Sequence, residues 1–263
     1  MSTVKIINMV HPSGSTTNIV NDSSGNVTVG NNLTVTGTNT ALGPSVMAAG
    51  STTVAPLTLQ SGTNLTTATA GATEYDGKSL MFTPIGTQRG IVPGMQFFRL
   101  NGTNAGSNGT GAQSALGVGC TLSSSTIYEF ETHIYMSKSA GTTSHTIALG
   151  FGGTATVNNS FVVYNIIGTS NGTLVTNAPA GNFFSVGTTL PYSFVATGAI
   201  TTAAYSAAIV LRGNISVNAG GTFIPQYTLS AAPGGAYTVQ AGSHMMIYPI
   251  GASGANVNVG TWA

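Results

Sequence analysis

The sequence predicts an all-β protein: a thin, extended N-terminal β segment followed by a C-terminal antiparallel β-sandwich or jelly roll. Three observations lead there. Charged residues make up only 4% of the 263, against about 25% in an ordinary globular domain. The polar surface therefore falls to Ser, Thr, Asn and Gly, which favour turns over helix interiors. With 36 Gly and 10 Pro, turn signals recur densely, as they do between many short strands. Val, Ile, Thr, Tyr and Phe then alternate with polar residues at period two.

Residues 1–41 read as a leader for docking and trimerisation. Ser23-Ser24-Gly25 and Gly30-Asn31-Asn32 are turn chemistry. Val27/Val29 and Leu33/Val35 alternate with polar neighbours as short strands. Two such strands bury too little apolar surface to stand alone in water. Fully extended, the leader would reach on the order of 130 Å.

Residues 42–111 read as a short β connector cut by Pro44, Pro56, Pro84 and Pro93. Residues 54–59 and 78–83 have strand composition, and Asp76-Gly77 is a hairpin turn signal between Glu74-Tyr75 and Lys78. The Gly/Asn/Ser stretch 101–111 reads as a loop.

Residues 112–263 read as the β-sandwich head. Tyr128, Phe130, Thr132, Ile134 and Met136 share one face of a strand, and Ile147, Leu149 and Phe151 share one face of the next. Further strands are expected over 160–167, 192–196, 207–217, 223–229 and 245–250. Seven or eight strands with a turn about every ten residues fit a sandwich or jelly roll.

Composition also bounds the partners. Lys5, Lys78, Arg89, Arg99, Lys138 and Arg212 are scattered, whereas nucleic-acid binding gathers its cations. No run approaches the roughly 18 apolar residues of a spanning helix; Ala207 to Leu211 is stopped by Arg212. Neither a nucleic acid nor a membrane is expected as a partner. Cys120 is alone, which leaves no internal disulfide. Residues 6–10 are too short for the apolar core of a signal peptide, so folding in a cytoplasm is expected.

Three stretches carry a resemblance. His11-Pro12-Ser13-Gly14-Ser15 with residues 18–29 resembles openings of virion structural proteins from tailed bacteriophages, notably marine ones. Residues 59–67, followed by 70–77, resemble a module of their fibre-like proteins. Residues 144–260, with Gly220-Gly221-Thr222-Phe223-Ile224-Pro225-Gln226 and Ala231-Ala232-Pro233-Gly234-Gly235, resemble their C-terminal heads. The resemblance implies a trimeric fibre or capsid-decoration protein with a tumour-necrosis-factor-like jelly-roll head. It implies no catalytic residues and no cofactor.

Candidate chemistry is sparse. Glu129 and Glu131 project from one side of a strand about 6–7 Å apart, with His133 next in line, a pair that glycoside hydrolysis would need. The alternative is the polar outer side of a strand whose inner side is Tyr128, Phe130 and Ile134. His11, His133, His145 and His244 lack metal-ligand spacing, although a trimer axis would gather three copies of His133 or His145. Cys120 is expected as a buried thiol. Asp22, Glu74 and Asp76 offer oxygens for Ca²⁺, but turn formation accounts for Asp22 and Asp76. No catalytic, cofactor or metal residue is therefore assigned.

The leading reading is a non-enzymatic homotrimer on the exterior of a virion, assembled in the host cytoplasm and docked on capsid or tail proteins by its leader. Buried inter-chain faces would account for both the thin leader and the low charge. A second reading is a tail-fibre module for host-surface glycan, with Tyr164, Phe183, Phe184, Tyr192 and Tyr237 in loops as its platform. A third is a polysaccharide depolymerase using Glu129 and Glu131.

Overall fold

A computed structural model of the chain describes residues 8–10, 17–21, 27–29, 44–175 and 182–262. Among these the protein is all-β, with strands paired antiparallel and no helix. The chain forms two compact units, residues 1–58 and 59–263.

The first unit holds β1 (Asn8–Val10), β2 (Thr17–Asn21) and β3 (Val27–Val29), paired in that order as a three-stranded sheet. Val27 to Val29 are the strand their alternation predicts, facing Asn21 to Ile19 in register. The Leu33/Val35 strand and the turns at 23–25 and 30–32 lie outside the described residues. Residues 54–58 form no strand, nor does Leu59. Pro56 lacks the N–H a ladder needs, and Val54 and Leu57 are exposed.

In the second unit, β4 (Thr73–Tyr75), β5 (Leu80–Phe82) and β6 (Gly90–Val92) make a small sheet in that order. Its first turn forms as the sequence indicates. The Asp76 carboxylate accepts the N–H groups of Lys78 and Ser79 at 2.8 and 2.7 Å, and Gly77 adopts a φ of +87°, where only glycine is unstrained. Glu74 pairs with Arg89 at 2.8 Å.

The head follows with β7 (Gln96–Arg99), β8 (Asn104–Ala105), β9 (Gln113–Ser114), β10 (Cys120–Leu122), β11 (Thr126–Lys138), β12 (Ile147–Gly152) and β13 (Thr156–Ser170). It continues with β14 (Thr173–Val175), β15 (Asn182–Gly187), β16 (Tyr192–Val195), β17 (Tyr205–Ala219), β18 (Gly221–Leu229), β19 (Thr238–Val239) and β20 (His244–Ala252). One sheet runs β7-β20-β11-β17-β13-β15, with β14 beside β13 and β8-β19 extending along β11. The other runs β10-β18-β12-β16, with β9 beside β18.

Counting β7, β10, β11, β12, β16, β17, β18 and β20 as strands one to eight, the sheets read 1-8-3-6 and 2-7-4-5. That is the two-Greek-key order of a jelly roll. β13, β14 and β15 are inserted between strands four and five, and they widen the first sheet beyond β17. The segment expected as a connector and loop contributes β7 and β8 to the head, and β9 follows just past its end. These strands have two to four residues, too few for alternation to register, and they satisfy edge backbone groups that would otherwise be bare.

The core lies between the sheets. β11 alternates strictly, with Tyr128, Phe130, Ile134 and Met136 buried. Phe130 meets Phe151 of β12 and Phe223 of β18 edge-on, centroids 5.2 and 5.6 Å apart, and those two rings stack at 4.5 Å. Such edge-to-face pairs add about 0.5–1.5 kcal/mol each beyond area burial. Gly213 of β17 sits opposite both Phe130 and Val162, and a Cβ there would collide with the Phe161 carbonyl. The close approach of β13 to β17 thus requires glycine.

Candidate functional site

Strand parity decides what β11 shows to each side. With its apolar residues committed to the core, Glu129, Glu131 and His133 project from the opposite face of the nine-stranded sheet. Registration with β17 and β20 brings their partners from far along the chain. Glu131 faces Arg212 on one side and Met246 on the other, and His133 faces Val210 and His244.

The result is a charged cluster in the middle of that face. Arg212 Nε donates to Glu131 Oε2 at 2.8 Å, and His133 Nε2 lies 2.5 Å from Glu131 Oε1. The His133 and His244 rings stack, centroids 4.6 Å apart and 14° between planes, and Phe97 of β7 packs on His244 at 5.7 Å. His244 Nδ1 donates to the Gly242 carbonyl at 3.0 Å. The hydrogen bond with His133, followed by Arg212, holds the Glu131 carboxyl below its ordinary range against a smaller opposing effect of burial. Tyr248, opposite Glu129 in register, has its hydroxyl pushed up by burial and by the Glu129 carboxylate.

This arrangement bears on the two carboxylates. A glycosidase acid must hold a proton near neutral pH, whereas Glu131 is kept ionised by two partners. The apolar cavity of about 260 Å³ at the sandwich edge is lined by Phe97, Phe98, Val118, Cys120, Pro225 and Met245 among others, with no carboxylate in its wall. That cavity and the β11 carboxylates are in different places, and a second hollow lined by Val163, Tyr164, Asn165, Val210 and Arg212 also has no carboxylate in its wall.

The remaining candidates scatter. His145 is buried, with Nδ1 donating to the Thr143 carbonyl at 3.1 Å and Nε2 2.8 Å from the Tyr237 hydroxyl. Burial pushes its pKa down, opposed by the Thr143 bond and aided by the Lys138 cation. An interior His145 has no access to a symmetry axis, whereas His133 remains on the outer face. Cys120 is half-buried rather than fully buried. Burial pushes its thiol up to about 11, only partly offset by a backbone hydrogen bond, so it is a poor nucleophile at neutral pH. Asp76 caps its turn and Glu74 is occupied by Arg89. His11 and Asp22 lie outside the described residues. Among those described, no three His, Cys, Asp or Glu side chains converge as metal ligands would.

Of the aromatics expected in loops, four lie in strands, and Tyr237 lies between β18 and β19 but is buried. Tyr164 is buried in β13 and stacks on Phe194 at 4.6 Å. Tyr192, in β16, bonds Ser160, and burial pushes its hydroxyl up to about 12. Tyr237 is fully buried against Tyr205 and Tyr227. Phe183 and Phe184 are in β15, and Phe184 is exposed, stacked on Phe161 at 5.9 Å. Strand alternation turns Tyr164 into the core, and the close of a turn-rich segment buries Tyr237.

Sequence reasoning paired neither Arg212 with Glu131 nor His244 with His133. The usable signal was parity: Arg212 interrupts an apolar run at an outward position of β17. No protein-family model matches this chain, and no curated protein matches it.

Proposed function

We propose that this chain is a non-enzymatic structural protein on the exterior of a tailed-bacteriophage particle. It works as a homotrimer whose tumour-necrosis-factor-like head projects outward and whose N-terminal unit docks on capsid or tail proteins. The observation that carries the reading is the pairing of a charge-poor jelly-roll head with a small N-terminal unit. The three strands β1, β2 and β3 supply too few residues to bury a core of their own. A unit of that size gains its order from a partner surface or from copies of itself.

Two further features support it. Glu131, the stronger member of the only closely spaced carboxylate pair on the sheet face, is consumed by Arg212 and His133. Trimer formation also accounts for a 26.4 kDa chain carrying so few charges, because inter-chain contact removes protomer surface from water. The host cytoplasm is where such a particle is assembled.

The test is quantitative mass spectrometry on purified phage particles whose genome encodes the chain. Hundreds of copies per particle mean capsid decoration, and a dozen or two mean tail or vertex fibres. Absence of the chain from purified particles overturns the reading. Cleavage of host polysaccharide by the pure protein would favour the depolymerase instead.

A further inference from the structure

We infer that the outward face of the nine-stranded sheet, with the inserted strands β13 and β15 as its apolar side, is where a second copy of this chain packs. The inference rests on the oligomeric reading above and assigns the surface responsible.

A sheet with one side on a core normally turns polar residues to water on the other. The five-stranded sheet largely obeys: β18 turns Thr222, Gln226 and Thr228 away from the buried Phe223, Tyr227 and Leu229, with Ile224 on β18 and Val195 on β16 as isolated apolar exceptions. The nine-stranded sheet does not. β13 buries Val162, Tyr164 and Ile166, and turns Phe161, Val163 and Ile167 outward, 38%, 44% and 55% exposed. β15 adds Phe184 and Val186 at 63% and 47%. Register places Phe161 beside Val186 and Val163 beside Phe184, so these four side chains are contiguous, and Ile167 follows on β13 beyond Asn165.

The area matches what a stable contact needs. Each outward position occupies about 4.8 Å by 6.8 Å of sheet. About twenty such positions across the six strands from β15 to β7 span roughly 700 Å² in plan, near the ~800 Å² per partner of a stable interface. Its contiguous apolar part is the smaller area on β13 and β15, with polar and charged positions around it, the make-up of an association site.

The charges in the middle fit a copy of the same chain. Glu129 and Glu131 lie next to Arg212, so acid and base share one face in adjacent rows. The Arg212 side chain is 66% exposed although it holds Glu131, which leaves guanidinium donors free to reach Glu129 of a second copy. Opposite signs within one patch let copies of that face gather around a three-fold axis without net repulsion and set their register.

The test uses the full chain in sedimentation velocity, with circular dichroism to verify folding. The double variant Val163→Asp/Phe184→Asp should sediment as a single folded chain where the wild type sediments as an oligomer. Val195→Asp alters an equally exposed residue, 66% accessible, on the five-stranded sheet, and should leave the oligomer unchanged. An independent readout needs no variant. In hydroxyl-radical footprinting of the wild type, Phe161 and Phe184 should label at least several-fold more slowly than exposed Trp262. An oligomeric wild type whose double variant stays oligomeric, or whose Phe161 and Phe184 label as fast as Trp262, overturns this inference and leaves the oligomer reading standing. A wild type that is monomeric at every concentration overturns both.

Discussion

The imidazole of His145 and the phenol of Tyr237 meet between the two sheets, Nε2 to hydroxyl 2.8 Å. The other ring nitrogen donates to the Thr143 carbonyl, so in the neutral imidazole, the form that burial favours, Nε2 accepts from the phenol. Lys138, itself buried and donating to the Ala203 carbonyl at 2.9 Å, adds a cation that opposes protonation.

Acid lability follows from that neutral histidine. Its pKa in the folded chain is depressed below the ordinary value of 6.5. The unfolded chain therefore binds a proton that the folded chain refuses. Stability from this site is complete above about pH 6.5 and declines as pH falls toward the folded pKa. The melting temperature should drop between pH 7 and pH 5, and His145→Gln should flatten that drop. An equal drop in the variant would assign the effect elsewhere. Glu131 acts in a separate, lower window: its depressed pKa contributes stability above about 4.5 that is lost on further acidification.

The outer-face carboxylates give a second prediction. In the single chain produced by Val163→Asp/Phe184→Asp, adding Glu129→Gln/Glu131→Gln should leave a cooperative melt, with a stability loss below about 1 kcal/mol, as expected for a solvent-accessible ion pair. The loss should shrink further in high salt. A loss of several kcal/mol in thermal unfolding of that single chain would show that the cluster is shielded from water within one chain.

How much of this was legible in the sequence depends on chain separation. The two sides of β11 could be read because Tyr128, Phe130 and Ile134 alternate with Glu129, Glu131 and His133 within a few residues. The Asp76-Gly77 turn is equally local. Arg212 meets Glu131 across 81 positions, and nothing in either neighbourhood encodes that register. Strands β7, β8 and β9 are recruited by open sheet edges, a tertiary effect on segments too short to show a period. Tyr237 follows Gly234-Gly235 and looks like a loop residue, yet its ring fills the space between Tyr205, Tyr227 and His145.

Cys120 supplies a third prediction. Burial raises its thiol pKa to about 11 from 9.0, and the thiolate is the reactive form. At pH 8 its alkylation by iodoacetamide should be about 100-fold slower than that of an exposed cysteine. Modification at the free-thiol rate would mean that the cavity walled by Phe97, Phe98 and Val118 opens readily.

Packing at the centre of the head gives a fourth. Phe130→Ala removes the ring that bridges Phe151 and Phe223 and should cost about 3–5 kcal/mol. Gly213→Ala should destabilise by a different route, forcing β13 away from β17 because the added methyl meets the Phe161 carbonyl. Both losses are read from denaturant midpoints. A neutral Gly213→Ala would mean that the two strands separate at little cost.

The last prediction concerns the division of the chain. All of the principal aromatic core, from Tyr128 to Tyr237, lies within residues 59–263, and so do all eight jelly-roll strands. That unit has what it needs to fold alone, whereas the three strands of the first unit bury too little to do so. A chain beginning at Leu59 should therefore be soluble and β-rich, and should melt within a few degrees of the full-length protein. On the docking reading it should also fail to co-sediment with particles that lack the native protein, while the full chain binds them. Binding by the shortened chain would place the docking surface on the head and reverse the orientation proposed here. Failure of the shortened chain to fold would show instead that the first unit completes the core.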